Sequence, residues 1–300
     1  MEELDLSGGA MRRPHDRDLS TYLDRLEIGD PGEPSLDALR ALHRAHVERV
    51  PYETLEVQLG RRITLDPRES IDRILRGRGG YCVQLNGAFA TLLTALGYDV
   101  TWHRAGVQAG RRAPASGVSF APHLALTVRM EGQPWLVDIG LGDGLLEPLP
   151  LREGRYRQGP FEFRLSASSV EPGGWRFDHD PRGSIAGLDM ETEPASAVDF
   201  VEWHPYLCTS PESRLVRAAV VLRRDGAGAD ALVGCMLRRV SGAGVSEVEL
   251  GSRGEWFEAL SSVFGLHLGD VNGRDREMLW EKVRGAHEAW QRRKGAVAVS

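Results

Sequence analysis

Apolar positions recur at two different periods along the chain, and the change of period divides it. Leu19, Tyr22, Leu23 and Leu26 share one face of a short helix after Asp18, which Gly29-Asp30-Pro31-Gly32 breaks. Ser35 is placed to cap a second helix that turns Leu36, Leu39, Leu42 and His46 inward. Val50-Pro51-Tyr52-Glu53-Thr54-Leu55 reads as an extended connector, because a residue before proline avoids helical angles. A third helix near 68–75 buries Ile71, Ile74 and Leu75. A fourth opens at Cys82, where Leu85, Phe89, Leu92, Leu93 and Leu96 keep helical spacing up to Gly97. Residues 18–97 therefore read as a helical bundle behind a polar tail, residues 1–17, expected to be disordered.

After Gly97 the period drops to two. Val100, Trp102 and Arg104 alternate with Thr101 and His103, and a polar loop runs from Gln108 to Ser116. Two further strands, 123–130 and 133–140, flank Glu131-Gly132. If those two residues form the hairpin turn, Met130 faces Gln133 and Asp138 falls opposite Ala125. His123 is then a diagonal neighbour of Asp138 on the same face. Leu124, Leu126, Val128, Trp135, Val137 and Ile139 occupy the other face, the apolar one, so His123 and Asp138 are expected off the hydrophobic side. With strands at 161–165 and 175–178, residues 98–203 read as an antiparallel barrel or curled sheet. In residues 204–300 the runs 215–222 and 231–240 predict a hairpin around Asp225-Gly226-Ala227-Gly228. Two helices follow, one marked by Trp256, Leu260, Val263 and Phe264, the other by Met278, Leu279, Val283, Ala286 and Trp290.

Composition narrows the partners. The 300 residues are 41% hydrophobic and 27% charged, with a net charge of −6, so there is no electrostatic case for nucleic acid or an anionic membrane. No apolar run could cross a bilayer and no signal peptide opens the chain. Cys82, Cys208 and Cys235 are sparse, odd in number and lack C-x-x-C spacing. This favours a reducing, cytoplasmic setting over a disulfide scaffold and argues against a bound metal.

Cys82 carries the candidate chemistry. In the first turn of a helix it meets unpaired N–H groups and the positive end of the dipole, which favours the nucleophilic thiolate. Gly79 and Gly80 are expected to allow a sharp turn and to leave room for substrate beside the sulfur. The competing reading is a cysteine packed as a small hydrophobe. A base and an orienting acid weigh against that reading, and His123 and Asp138 supply both. Cys, His and Asp together support acyl transfer through a thioester, with the acceptor undetermined.

The motifs resemble those of the arylamine N-acetyltransferases. That family's R-G-G-x-C-x-[E/Q]-x-N is matched by Arg78, Gly79, Gly80, Cys82, Gln84 and Asn86. Its W-L-V-D-V-G-F-G-D resembles Trp135-Leu136-Val137-Asp138-Ile139-Gly140-Leu141-Gly142-Asp143, and its I-P-F-E-N-L resembles the 50–55 connector. A later N-x-Y-x-S-T-x-P-x-S resembles the stretch from His204 to Ser213. The resemblance implies an α+β fold with an N-terminal helical bundle, a central antiparallel β-barrel and a C-terminal α/β lid around a cysteine-proteinase-like core. It implies no permanently bound cofactor. Acetyl-CoA would acylate Cys82, and an arylamine, hydrazine or N-hydroxyarylamine would take the acetyl group. By position, Ser119, Phe120 and Tyr206 would contact coenzyme A. Two alternatives share the triad: an amide synthase of the same family, closing a macrolactam from a polyketide on a carrier protein, and a thiol hydrolase. Three positions depart from the family pattern: Gln84 for the commoner glutamate, Thr54 for asparagine, and Leu141 for an aromatic residue, which is expected to reshape the acceptor pocket.

Overall fold

The computed structural model describes residues 16–108 and 122–298. The expected tail lies outside these apart from Asp16 and Arg17, which open α1 (Asp16–Arg25). The bundle continues with α2 (Leu36–Arg49), β1 (Tyr52–Glu53), α3 (Leu55–Gln58), α4 (Pro67–Leu75) and α5 (Cys82–Ala95). The Ser35 hydroxyl caps α2 by accepting from Ala38 N–H, and Gly97 ends α5 region at φ +91°.

Eight antiparallel strands follow: β2 (Val100–Gln108), β3 (Pro122–Met130), β4 (Gln133–Val137), β5 (Leu149–Pro150), β6 (Gly154–Gln158), β7 (Phe161–Ala167), β8 (Trp175–Asp178) and β9 (Gly187–Pro194). Their order, β5-β4-β3-β2-β9-β8-β7-β6, curls into a nearly closed barrel. The edges approach where the Tyr156 hydroxyl of β6 donates to Arg152 O beside β5, at 2.7 Å. The β3–β4 register pairs Met130 with Gln133, as the two-residue turn predicts.

The chain closes with α6 (Val198–Val201), α7 (Trp203–Thr209), α8 (Arg214–Arg217), β10 (Val220–Asp225), β11 (Gly228–Val233), β12 (Met236–Ser241), β13 (Gly244–Glu249), α9 (Arg253–Ser262) and α10 (Gly273–Ala298). Helical bundle, antiparallel barrel and C-terminal α/β unit are thus the observed layers. Among the described residues no helix is long and apolar enough to cross a membrane.

Three expectations are corrected. The run 215–222 is not one strand: Ser213 caps α8 by accepting from Leu215 N–H, and β10 starts only at Val220. The run 231–240 is two strands, because Gly234 at φ +58° turns the chain between β11 and β12. The face of β3–β4 that carries His123 is also not open. Leu124, Leu126, Val128, Val137 and Ile139 pack under the bundle with Leu85 and Phe89. Ala125 and Leu136, on the opposite face, pack into the barrel interior with Phe161, Phe163 and Phe177. The sheet is covered on both sides, so His123 and Asp138 are each 1% exposed.

Candidate active site

The loop 78–81 delivers Cys82 to the first position of α5. Tyr81 is the N-cap, in extended backbone at φ −91° and ψ 175°. Its N–H donates to Gln84 Oε1 at 3.3 Å, while Gln84 Nε2 donates to Thr64 O at 3.1 Å. A glutamate could accept the first bond, but an ionised carboxylate could not make the second. This accounts for the amide at this position.

The two glycines serve packing rather than a turn or substrate room. Neither has a positive φ. A Cβ on Gly79 would overlap the Pro51 carbonyl oxygen, and one on Gly80 would press on the Gln84 side chain. Close approach of β1 is the reason. Glu53 N–H donates to Gly80 O at 2.9 Å, and Tyr52 pairs onward with Leu222 of β10. Arg78, 2% exposed, locks the same corner with ion pairs to Glu53 (3.1 Å), Glu56 (2.8 Å) and Asp270 (3.0 Å). Thr54 joins in: its hydroxyl accepts from Val220 N–H at 3.0 Å.

His123 opens β3 and Asp138 follows β4, so the hairpin brings them to one end of the sheet. His123 Nε2 donates to Asp138 Oδ2 at 2.6 Å. That leaves Nδ1 for the Cys82 sulfur, which lies near enough to help hold the proton on the imidazole. Burial disfavours charge on His123, but the Asp138 carboxylate and then the Cys82 sulfur outweigh it, and the imidazole is pushed up to about 10. The loop after Asp138 lies directly on the nucleophile. A Cβ on Gly140 would fall 2.9 Å from the Cys82 Cα.

Two supporting residues were given no role by sequence reasoning, Asn86 having been quoted only as a motif match and His43 not at all. Asn86 Nδ2 donates to Asp138 Oδ1 at 2.8 Å and to Leu124 O at 2.5 Å, while its Oδ1 accepts from Ile139 N–H at 3.0 Å. One amide thus fixes the carboxylate, the strand beside His123 and the loop. The available signal was its place four residues after Cys82, on the same helix face, in an otherwise apolar run. His43 of α2 accepts from Asp138 N–H through Nε2 at 3.4 Å and donates from Nδ1 to Leu146 O at 3.1 Å.

Other expected contacts are placed differently. Ser119 and Phe120 lie outside the described residues. Tyr206 on α7 is 42% exposed and packs edge-on to Trp203. Its helix reaches the nucleophile's cap through His204, whose Nδ1 accepts from the Tyr81 hydroxyl at 2.6 Å. Leu141 is 6% exposed in the barrel cluster with Leu145, Leu149 and Phe161. Its side chain packs into the barrel core.

The N-acetyltransferase family model matches residues 35–272. The arylamine N-acetyltransferase / N-hydroxyarylamine O-acetyltransferase of Salmonella typhimurium is 30% identical over 263 residues, covering 84% of this chain and 90% of its own. The proansamycin X synthase of Amycolatopsis mediterranei is 33% identical over 153 residues, 49% of this chain and 58% of its own. The structure of Mycobacterium marinum arylamine N-acetyltransferase in complex with CoA superposes with a TM-score of 0.78 at 27% identity, over 88% of this chain and 98% of that one.

Proposed function

Since this chain belongs to the arylamine N-acetyltransferase family, we propose that it carries an acetyl group from acetyl-CoA, through a thioester on Cys82, to an arylamine, hydrazine or N-hydroxyarylamine. The observation that supports this most is the placement of His123, hydrogen-bonded to Asp138 and near enough to the Cys82 sulfur for that sulfur to raise the imidazole's affinity for its proton. In the first half-reaction the Cys82 sulfur attacks the donor's thioester carbonyl. Gln84 N–H is taken by Tyr81 O at 3.0 Å, which leaves the Cys82 and Val83 N–H groups at the start of α5 for the oxygen that gains charge. The tetrahedral intermediate collapses with loss of the coenzyme A sulfur, which takes the proton held by His123. In the second half-reaction the amine attacks the acyl-Cys82 carbonyl and gives its proton to His123, and the Cys82 sulfur leaves. Asp138 keeps the imidazole in one tautomer and offsets its charge in both halves.

A second reading has specific support in the similarity to proansamycin X synthase: an amide synthase that uses the same three residues on a carrier-bound acyl chain with an internal amine. That likeness spans 49% of the chain, whereas the Salmonella typhimurium enzyme covers 84%. Mixing the protein with acetyl-CoA and mapping the added mass distinguishes them. One acetyl group on Cys82, absent from Cys82→Ala and discharged by 4-aminobenzoate with release of free thiol, is expected. No acylation of wild-type protein by acetyl-CoA would overturn the first reading, and discharge independent of any amine would favour a hydrolase.

A further inference from the structure

Tyrosine is a poor residue to start the helix that carries the nucleophile. Serine, asparagine or aspartate at an N-cap would accept from a first-turn N–H. Tyr81 caps nothing with its side chain. Its hydroxyl donates instead to His204 Nδ1 on α7 at 2.6 Å, and the two rings stack at 12° with centroids 6.1 Å apart. The Cys82 and Val83 N–H groups therefore stay open to a substrate, and the Tyr81 backbone has to be held from outside α5. The Cys82 N–H lies in the planar peptide that follows Tyr81, so the Tyr81 ψ of 175° sets where it points.

The outside hold is a closed circuit. His204 Nε2 donates to Ile63 O at 2.8 Å, which fixes the tautomer and leaves Nδ1 as an acceptor. Gln84 Nε2 donates to the next carbonyl, Thr64 O, while Gln84 Oε1 accepts from Tyr81 N–H. Tyr81 is thus gripped at its N–H and at its hydroxyl by two residues that rest on one loop, between α3 and α4. It is 1% exposed, so water does not compete for either bond. The Cys208 thiol also lies 3.6 Å from His204 Nδ1, but a thiol is the weaker donor. We propose that His204 is a positioning residue: through the Tyr81 hydroxyl it holds the Tyr81–Cys82 peptide so that the Cys82 and Val83 N–H groups meet the oxygen that gains charge on acylation. Asn86 aims the carboxylate of the site; His204 aims its N–H donors.

The inference rests on acyl transfer at Cys82 but not on the donor assigned above. Two reactions of the same sulfur test it. Acetylation passes through a tetrahedral oxyanion. Alkylation by iodoacetamide does not, since the sulfur displaces iodide at a saturated carbon. Burial pushes the Cys208 and Cys235 thiols up to about 11, so both alkylate slowly and the fast phase reads Cys82. Tyr81→Phe keeps the ring and removes the hydroxyl. It is expected to slow acetylation about tenfold, by acetyl-CoA and by 4-nitrophenyl acetate alike, with alkylation within about twofold of wild type. His204→Ala should match it, and the double variant should fall no further. His204→Asn, which keeps an oxygen for the Tyr81 hydroxyl, should recover most of the rate. Unchanged acetylation in Tyr81→Phe, equal slowing of acetylation and alkylation, or additive losses in the double variant would overturn the inference. If acetyl-CoA fails on wild type while 4-nitrophenyl acetate still acetylates Cys82, the donor assigned above falls and the ester alone decides the role of His204.

Discussion

Two histidines approach Asp138 from opposite layers of the molecule and end in opposite states. His123 comes from the barrel and meets the carboxylate; His43 comes from the bundle and meets the main-chain N–H. Both are fully buried, at 1% and 0% exposure. Burial dominates at His43 and takes it down to about 4, with only partial opposition from its bond to Leu146 O and the charge on Asp138. At His123 the same penalty is overcome by the carboxylate at 2.6 Å and by the sulfur, and the group rises to about 10. Burial alone therefore does not set the charge of a histidine here. The atom of Asp138 that each ring faces does, and it confines positive charge to the side where the sulfur lies.

Asp138→Asn removes that difference and should have the largest effect. The amide keeps the side-chain shape but supplies no charge, and it can present an N–H to His123 Nε2, selecting the wrong tautomer. Acylation of Cys82 by acetyl-CoA is expected to fall by about three to four orders of magnitude, with His123 titrating again near neutrality. In wild-type protein the sign runs the other way. Because the folded value of His123 lies above its free value, its contribution to stability is complete below about 6.5 and is lost as pH rises toward about 10. NMR titration of the ring C–H protons reads this directly. An ordinary His123 titration near 6.5 in wild type would remove the contrast between the two histidines.

Asn86→Ala should have an intermediate effect. It leaves all three reacting side chains in place and removes the group that aims Asp138. Loss of the bonds to Oδ1, Leu124 O and Ile139 N–H is expected to slow acylation about ten- to a hundredfold and to cost roughly 1–3 kcal/mol of stability, because Ile139 N–H is left buried and unpaired. The rate should fall in kcat with little change in KM for acetyl-CoA. A change confined to KM would mean that Asn86 acts on donor binding and not on the carboxylate.

The parts of this arrangement that could be read from the sequence are those set by local rules. A two-residue turn fixed the Met130–Gln133 register, and that register placed His123 diagonal to Asp138. Helical spacing and a stop at Gly97 placed Cys82 in a first turn. The supports of Asp138 were hidden because they cross the chain. His43 donates to a carbonyl 103 residues away, and Asn86 bonds strand and loop positions 38 to 53 residues on. Gly79 was misread for the same reason, since its crowding comes from Pro51 once β1 has docked, while Gly80 is crowded by the nearby Gln84 side chain that bonds back to Tyr81 N–H. In the C-terminal sheet, β13 has only two apolar side chains, Val245 and Val248, at no strand period and exposed with most of the strand, so no apolar pattern announced it. α8 owes its start to the Ser213 cap, which outweighed the strand propensity of Val216.

The smallest predicted effect concerns the bundle-side histidine, where two substitutions separate its two bonds. Asparagine places its amide nitrogen near the imidazole Nδ1 and can still donate to Leu146 O. Glutamine places its oxygen near Nε2 and can still accept from Asp138 N–H. If His43 aims the triad through the Asp138 main chain, His43→Asn should slow acylation severalfold while His43→Gln stays within about twofold. Each should destabilise the fold by about 1–3 kcal/mol, since each leaves one buried group unpaired. The modest rate effect follows from the 3.4 Å length of the bond, which is too long to be strong. Because His43 is neutral when folded, neither substitution should move the pH at which His123 titrates. Equal rates in the two variants would assign His43 to packing against Phe89, where its ring sits edge-on at 6.1 Å. Asp138 would then be held by Asn86, Gly140 N–H and His123 alone.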